Sequence, residues 1–155
     1  MTNETATNPT GLGELTITRD YDAPREMVFR AMIEPEQLTH FWGPTGTHTP
    51  LESIVLEPWA GGRFETTIVP DGSPPDAGFT MKAVFVEVVE PERIVFREPE
   101  LDMISSSTFT DLGDGRTRVV IHQTNVPPEY RTEEAQAGFK TSLDRFAAYL
   151  ATQGR

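Results

Sequence analysis

Cysteine is absent from this sequence of 155 residues, which excludes a disulfide framework, a thiolate nucleophile and a cysteine-ligated metal. Basic residues are scarce: 13 lysines and arginines stand against 24 aspartates and glutamates, and the formal net charge is −11. Because nucleic acids and anionic membranes attract basic surfaces, this charge argues against both as partners. The 3 histidines are not spaced as metal ligands, so we expect no metal site and no other cofactor.

Long apolar runs are also missing, and no stretch reaches the length of a membrane-spanning helix. The N-terminal residues are polar and rich in threonine and asparagine, and they lack the basic and apolar regions of a signal peptide. We therefore expect a cytoplasmic protein in which residues 1–13 form a flexible tail and residues 14–155 form one domain.

The longest periodic stretch lies at the C-terminal end, over residues 132–153. Its apolar side chains recur at steps of three and four, which predicts one helix with an apolar stripe. The stripe consists of Ala135, Phe139, Leu143, Phe146 and Leu150. Thr132 is placed to cap the start of the helix. Gly138 costs about 1 kcal/mol relative to alanine inside a helix, which indicates a close approach to the sheet or a ligand, or tight packing without a ligand.

The segments before this helix predict a sheet. Residues 14–21 alternate between apolar and polar side chains and predict a first strand, and two short helices follow it. From His48 onward the period is two, which predicts a run of antiparallel strands ending in a hairpin around residues 113–115. The predicted order of elements indicates an α+β fold with the helices on one face of the sheet. That order is one strand, two short helices, a run of strands and one long helix.

Alternation also predicts which side chains face the long helix. In the last strand Arg118 belongs in water, so His122 on the same face should be exposed, and Ile121 and Gln123 should point inward. The same argument places several large apolar side chains inside, and phenylalanine and methionine adapt well to flat ligands. These side chains are Phe64, Met81, Phe85, Phe96 and Phe109.

A set of short motifs, in this order and spacing, resembles the START-like (SRPBCC) superfamily, in its Hsp90-ATPase-activator-homologue (AHSA1-like) branch. The motifs are Ile17-Thr18-Arg19, Asp22-Ala23-Pro24, Val28-Phe29-Arg30-Ala31, Phe41-Trp42-Gly43-Pro44, Gly61-Gly62-Arg63-Phe64, Pro91-Glu92-Arg93-Ile94-Val95-Phe96 and Gly138-Phe139 with the helix that follows. The resemblance implies a helix-grip (START/Bet v 1-like) fold, in which a curved antiparallel sheet wraps around a long C-terminal helix. It also implies a cavity between helix and sheet that takes a hydrophobic or aromatic small molecule. The family often has tryptophan where this chain has Phe139, so the smaller ring leaves more open volume.

The candidate ligand-binding residues combine the inward side chains with two polar groups and one residue at the rim. Trp42 is expected at the rim, and Gln123 could orient a ligand through hydrogen bonds. Arg19 could clamp an acidic ligand group or pair with a carboxylate, or extend to the sheet edge. The full set is Arg19, Trp42, Phe64, Met81, Phe85, Phe96, Phe109, Ile121, Gln123, Phe139, Leu143 and Phe146. Each apolar member, taken alone, is equally explained by ordinary core packing.

These features favour a small-molecule binding protein over two alternatives. A cyclase-like or hydrolase-like enzyme would need a convergent acid–base pair in the cavity, and none is visible. An interaction module that stimulates Hsp90 is less favoured, because the eukaryotic co-chaperones carry a separate N-terminal domain not found in this sequence. The sequence leaves open whether the protein is a monomer or a homodimer.

Overall fold

The computed structural model describes residues 4–7 and 13–153. The described residues form nine strands: β1 (Glu4–Thr7), β2 (Gly13–Tyr21), β3 (Thr47–His48), β4 (Val55–Leu56), β5 (Arg63–Pro70), β6 (Phe79–Val89), β7 (Arg93–Glu98), β8 (Met103–Gly113) and β9 (Arg116–Val126). The α-helices among them are α1 (Arg25–Ile33), α2 (Pro35–Leu38) and α3 (Glu133–Ala151).

The strands form one curved antiparallel sheet in the order β1-β2-β9-β8-β7-β6-β5-β3, with β4 also paired to β5. The long strands β8 and β9 pair over most of their length, and Ser105 lies directly opposite Gln123. Strand β7 pairs with β8 on the other side, where Phe96 lies opposite Ser105. The predicted α+β architecture is confirmed.

Helix α3 forms where the C-terminal periodicity predicts it. The N–H of Ala135 donates to Oγ1 of Thr132 at 3.0 Å, so Thr132 is the predicted N-cap. The stripe packs toward the sheet, with Leu143 and Leu150 buried and the ring of Phe146 centred 5.0 Å from that of Tyr21. Burial of this stripe stabilises a helix that would be marginal in isolation.

Helix α1 fills the space at one end of the sheet. Phe29 is fully buried, and its ring packs edge-on against Phe109 of β8 with the centroids 5.2 Å apart. Ala23, Val28 and Ala31 are also without exposure, so this end is solid core. Elsewhere on the sheet, Phe146 of α3 packs on Tyr21 of β2, and Trp42, in the turn that follows α2, packs on Phe64 of β5.

The N-terminal segment differs in part from the predicted flexible tail. Glu4–Thr7 form strand β1, which pairs antiparallel with β2 between Gly13 and Thr16. An edge strand presents unpaired N–H and C=O groups, and even a polar segment can pair with them. Residues 1–3 and 8–12, which complete the predicted tail apart from Gly13, lie outside the described residues.

Candidate functional site

Helix α3 and the concave face of the sheet enclose a cavity of about 170 Å³, called the inner cavity below. Most of the predicted binding residues line it: Trp42, Met81, Phe96, Ile121, Gln123, Phe139, Leu143 and Phe146. Phe139, Leu143 and Phe146 come from the stripe of α3, and Ile121 and Gln123 come from the inward face of β9. The wall is mostly apolar, which suits a hydrophobic group.

A wider depression of about 560 Å³, called the outer cleft, borders the inner cavity. Trp42, Met81 and Phe139 belong to the walls of both. Phe79 lies on its rim with 59% of its surface exposed. The inner cavity and the outer cleft therefore adjoin along one side of α3.

Trp42 is held in place from two directions. Its Nε1–H donates to Oγ1 of Thr66 at 3.1 Å, which fixes the plane of the indole ring. The next residue, Gly43, has a φ of 100°, which favours glycine. The guanidinium of Arg145 on α3 donates to the carbonyl oxygens of Gly43 at 2.8 Å and Pro44 at 3.0 Å. The loop beside the inner cavity is thus tied to the helix that forms its roof.

Gly138 faces the outer cleft. A Cβ built on this residue meets no atom within 4 Å, so the backbone of α3 does not pack tightly against the sheet here. Of the alternatives expected for this glycine, close approach to the sheet and packing without a ligand are therefore wrong, and close approach to a ligand stays a prediction. The glycine instead leaves open the space beside Phe139.

One side of the inner cavity is polar. Gln123 and Ser105 face each other across β8 and β9, and Nε2 of Gln123 donates to Oγ of Ser105 at 3.5 Å. Ser105 is buried, with 4% of its surface exposed. Glu98, at the end of β7, borders the same cavity. Burial raises the pKa of its carboxyl, and the charge of Glu100 adds to the rise.

Some predicted residues lie away from both spaces. Phe64 and Phe85 are 2% exposed and stack on each other with centroids 5.2 Å apart, so they form core behind Trp42. Phe109 packs against α1 instead of α3, because α1 covers its end of the sheet. Arg19 pairs with Asp144 on the outer side of α3, which matches the carboxylate alternative and leaves the guanidinium outside the cavity.

Several residues that line the inner cavity were not predicted, although strand alternation indicates some of them. Glu98 shares strand parity with Phe96, and Ser105 and Ser107 share parity with Phe109, so alternation alone places all three on the inward face. The remaining ones come from the helices and the turn after α2, where alternation gives no information: Met32, Phe41, Gly43 and Ser142.

The chemistry available in the cavity is limited. His122 lies on the outer face of β9, where Nδ1 is 2.9 Å from Oγ1 of Thr16, so within the described residues the cavity serines have no histidine to activate them. Over residues 4–7 and 13–153, no three His, Cys, Asp or Glu side chains are grouped to hold a metal ion. In the same part of the chain, no helix combines the length and apolar character needed to cross a membrane.

A long helix gripped by a curved antiparallel sheet, with an apolar cavity between them, defines a helix-grip protein. The chain belongs to the family described as Activator of Hsp90 ATPase homolog 1-like protein, whose model matches residues 22–151. The predicted family and the predicted helix-grip fold are therefore confirmed.

Solved bacterial structures share this fold. A protein from Rhodobacter sphaeroides superposes with a TM-score of 0.78 at 15% identity, over 99% of this chain and 100% of that one. A protein from Chromobacterium violaceum gives 0.73 at 25% identity, over 87% and 95% of the two chains. A protein from Silicibacter pomeroyi described as AHSA1 gives 0.75 at 18% identity, over 91% and 99%. Among curated proteins, no significant match was found.

Proposed function

We propose that this protein binds a hydrophobic or aromatic small molecule between α3 and the sheet. The observation that carries the proposal is the inner cavity itself. Protein interiors are packed as densely as organic crystals and leave few voids larger than a water molecule, yet about 170 Å³ is open here. The wall carries Phe96, Phe139 and Leu143, so filling the space with an apolar group recovers contacts that the empty cavity lacks.

The size of the two spaces limits the ligand. An apolar cavity of about 150 Å³ is large enough for benzene, so the inner cavity suits a group of one aromatic ring. Drug-sized ligands occupy pockets of about 300–1,000 Å³, which the outer cleft reaches. The ligand that fits is therefore one ring-sized apolar group in the inner cavity with a further portion lying along α3 in the outer cleft.

The family assignment supports the same class of ligand. AHSA1-like and SRPBCC proteins generally bind hydrophobic ligands. The lining of the inner cavity is compatible with that general property, because large apolar side chains outnumber the polar ones.

The proposal is tested by titrating the protein with N-phenylnaphthylamine, a neutral probe whose fluorescence rises in apolar surroundings. We expect saturable binding to the wild type and strongly reduced binding to Leu143→Trp, whose larger ring occupies the inner cavity. The variant should unfold near the wild-type midpoint, because open space accepts the ring. If the site were solid core, overpacking would instead cost about 1–3 kcal/mol.

The matched control is Val86→Trp, which adds the same ring to an exposed residue of β6 outside both spaces. It should bind the probe as the wild type does. Absence of saturable binding to the wild type, together with a large loss of stability in Leu143→Trp, would overturn the proposal. Native mass spectrometry of freshly purified protein would then show whether any small molecule is retained.

A second candidate function is an interaction with a chaperone of the Hsp90 type. The description of the family model, which names an activator of the Hsp90 ATPase, is the observation that favours it. Retention of the protein on immobilised Hsp90 followed by a measured rise in ATPase rate would support this function. No retention and an unchanged rate would leave small-molecule binding as the only candidate.

A further inference from the structure

Glu98 lies where the inner cavity and the outer cleft meet. Glu98 belongs to the wall of the inner cavity and also to the wall of the outer cleft. It ends strand β7, two residues after Phe96, and the strand alternation turns both side chains toward α3. A ligand that extends from the inner cavity into the outer cleft therefore runs close to Glu98.

Glu98 has no cationic partner within the described part of the chain. The arginines of its own strand pair elsewhere, Arg93 with Glu87 and Arg97 with Asp102. Among the described residues, the charged side chain that acts on the pKa of the Glu98 carboxyl is another acid, Glu100. Burial and this repulsion both raise the pKa of the Glu98 carboxyl, so the ionised form lacks compensation in the protein alone.

The polar neighbours of Glu98 lie on one side of the inner cavity. Ser105 on β8 is diagonal to Glu98 on the same face of the sheet, and diagonal neighbours are roughly 7–8 Å apart. Gln123 lies opposite Ser105 on β9. These side chains offer oxygen acceptors in a row across three strands, while the remaining wall is mostly apolar and includes Ser107 and Ser142 as further polar residues. Tyr130 borders the outer cleft together with Glu98. Burial raises the pKa of its phenol, and the charge of Glu98 adds to the rise.

We infer that the site selects hydrophobic ligands that carry a basic amine, with the ring in the inner cavity and the ammonium group at the carboxyl of Glu98. The inference rests on the proposed function and adds the chemical class of the ligand. An ammonium donates charge-assisted hydrogen bonds to a carboxylate and neutralises a charge that no described residue balances. A carboxylate ligand of the same shape would meet repulsion from Glu98 and Glu100. The net charge of −11 further favours the approach of cations.

The test compares phenylbutylamine, phenylbutanol and phenylbutyrate, which share one ring and one chain and differ in the terminal group. Each is measured by displacement of N-phenylnaphthylamine and by calorimetry. The wild type should bind the amine about tenfold more tightly than the alcohol, and the acid more weakly than the alcohol. In Glu98→Gln the amine should lose this advantage, while the affinity for the alcohol stays within about twofold.

Glu92→Gln is the matched control, because it removes the same charge from an exposed residue in the turn just before β7. It should keep the preference for the amine. If the alcohol binds and the amine binds no better, or if the preference survives in Glu98→Gln, the inference is overturned and the proposed function stands. If the wild type binds neither the probe nor any of the three compounds, the proposed function fails and the inference falls with it.

Discussion

The guanidinium of Arg145 donates to the carbonyl oxygen of Gly43 at 2.8 Å, across a sequence separation of 102 residues. The same nitrogen also donates to the carbonyl oxygen of Pro44 at 3.0 Å. Through these two bonds the roof of the inner cavity holds the loop that carries Trp42. The position of the indole ring therefore depends on α3 as well as on the bond to Thr66.

Replacing Arg145 with alanine should loosen this loop. Hydrogen bonds to charged groups contribute about 1.5–3 kcal/mol, so we expect Arg145→Ala to lose stability of about that size. Dissociation of N-phenylnaphthylamine should also become faster, because the indole no longer closes one side of the cavity. Stopped-flow fluorescence and urea denaturation measure the two effects.

The control for Arg145 is Arg118→Ala. Arg118 pairs with Asp20 on the outer face of the sheet, and exposed ion pairs contribute little to stability. The control should leave both the unfolding midpoint and the dissociation rate near their wild-type values. Equal behaviour of the two variants would show that the bonds from Arg145 do not hold the loop.

Gly138 provides a way to fill the outer cleft without disturbing the core. Because a Cβ at this position meets no atom within 4 Å, Gly138→Ala should stabilise the protein by about 0.5–1 kcal/mol through helix propensity alone. Gly138→Leu should be folded and at least as stable as the wild type, but its side chain enters the outer cleft and should weaken ligand binding.

Thermal denaturation and probe titration of the Gly138 pair give independent answers. The alanine variant should keep the wild-type affinity, since a methyl group leaves most of the cleft open. A loss of stability in both variants would mean that the space beside α3 is filled. Full affinity in the leucine variant would mean that the ligand does not extend into the outer cleft.

The raised pKa of Glu98 predicts a dependence of stability on pH. Since the folded protein holds the proton more tightly than the unfolded chain, this group contributes stability at low pH that is lost as the pH rises through its folded-state pKa. In Glu98→Gln the side chain stays neutral, so the variant does not lose stability in this way as the pH rises. Its unfolding midpoint should therefore exceed that of the wild type at about pH 8, and the difference should shrink as the pH falls toward the ordinary carboxyl value of about 4.3.

Within residues 4–7 and 13–153, the titratable groups that interact with Glu98 are Glu100 and the phenol of Tyr130, and neither supplies a positive charge. Glu92→Gln, made on an exposed carboxyl, should show no comparable gain at any pH. A Glu98→Gln variant that is less stable than the wild type at about pH 8 would contradict the prediction, since it would show that the ionised carboxyl is favoured in the fold.

The elements that could be predicted from the sequence are those in which one face is buried, because burial sets the spacing of their apolar residues. The stripe of α3 has to meet the sheet, so Phe139 and Leu143 were found from helical spacing alone. The inward face of β9 could be inferred from Arg118. A charged side chain belongs in water, so Ile121, which has the opposite parity, lies on the inward face. The helical stripe of α3 and the strand alternation of β9 both place their apolar residues between the helix and the sheet, where the inner cavity lies.

Position along the sheet was not predictable in the same way. Alternation states which face of a strand is inward, but not whether α1 or α3 covers it, so Phe109 was assigned to the cavity although it packs on Phe29. Arg19 and its partner Asp144 are 125 residues apart, and no local pattern joins them. Glu98 was missed because a charged residue at a strand end is usually solvated.

The most direct test of ligand binding in the inner cavity is methyl NMR of protein labelled at its 5 methionines. Met32 and Met81 line the inner cavity, whereas Met27 packs at the edge of the core away from it. On titration with N-phenylnaphthylamine, the methyl signals of Met32 and Met81 should shift and saturate together, and that of Met27 should stay in place. Saturable probe binding that leaves Met32 and Met81 unmoved, or that shifts Met27 equally, would contradict a ligand between α3 and the sheet.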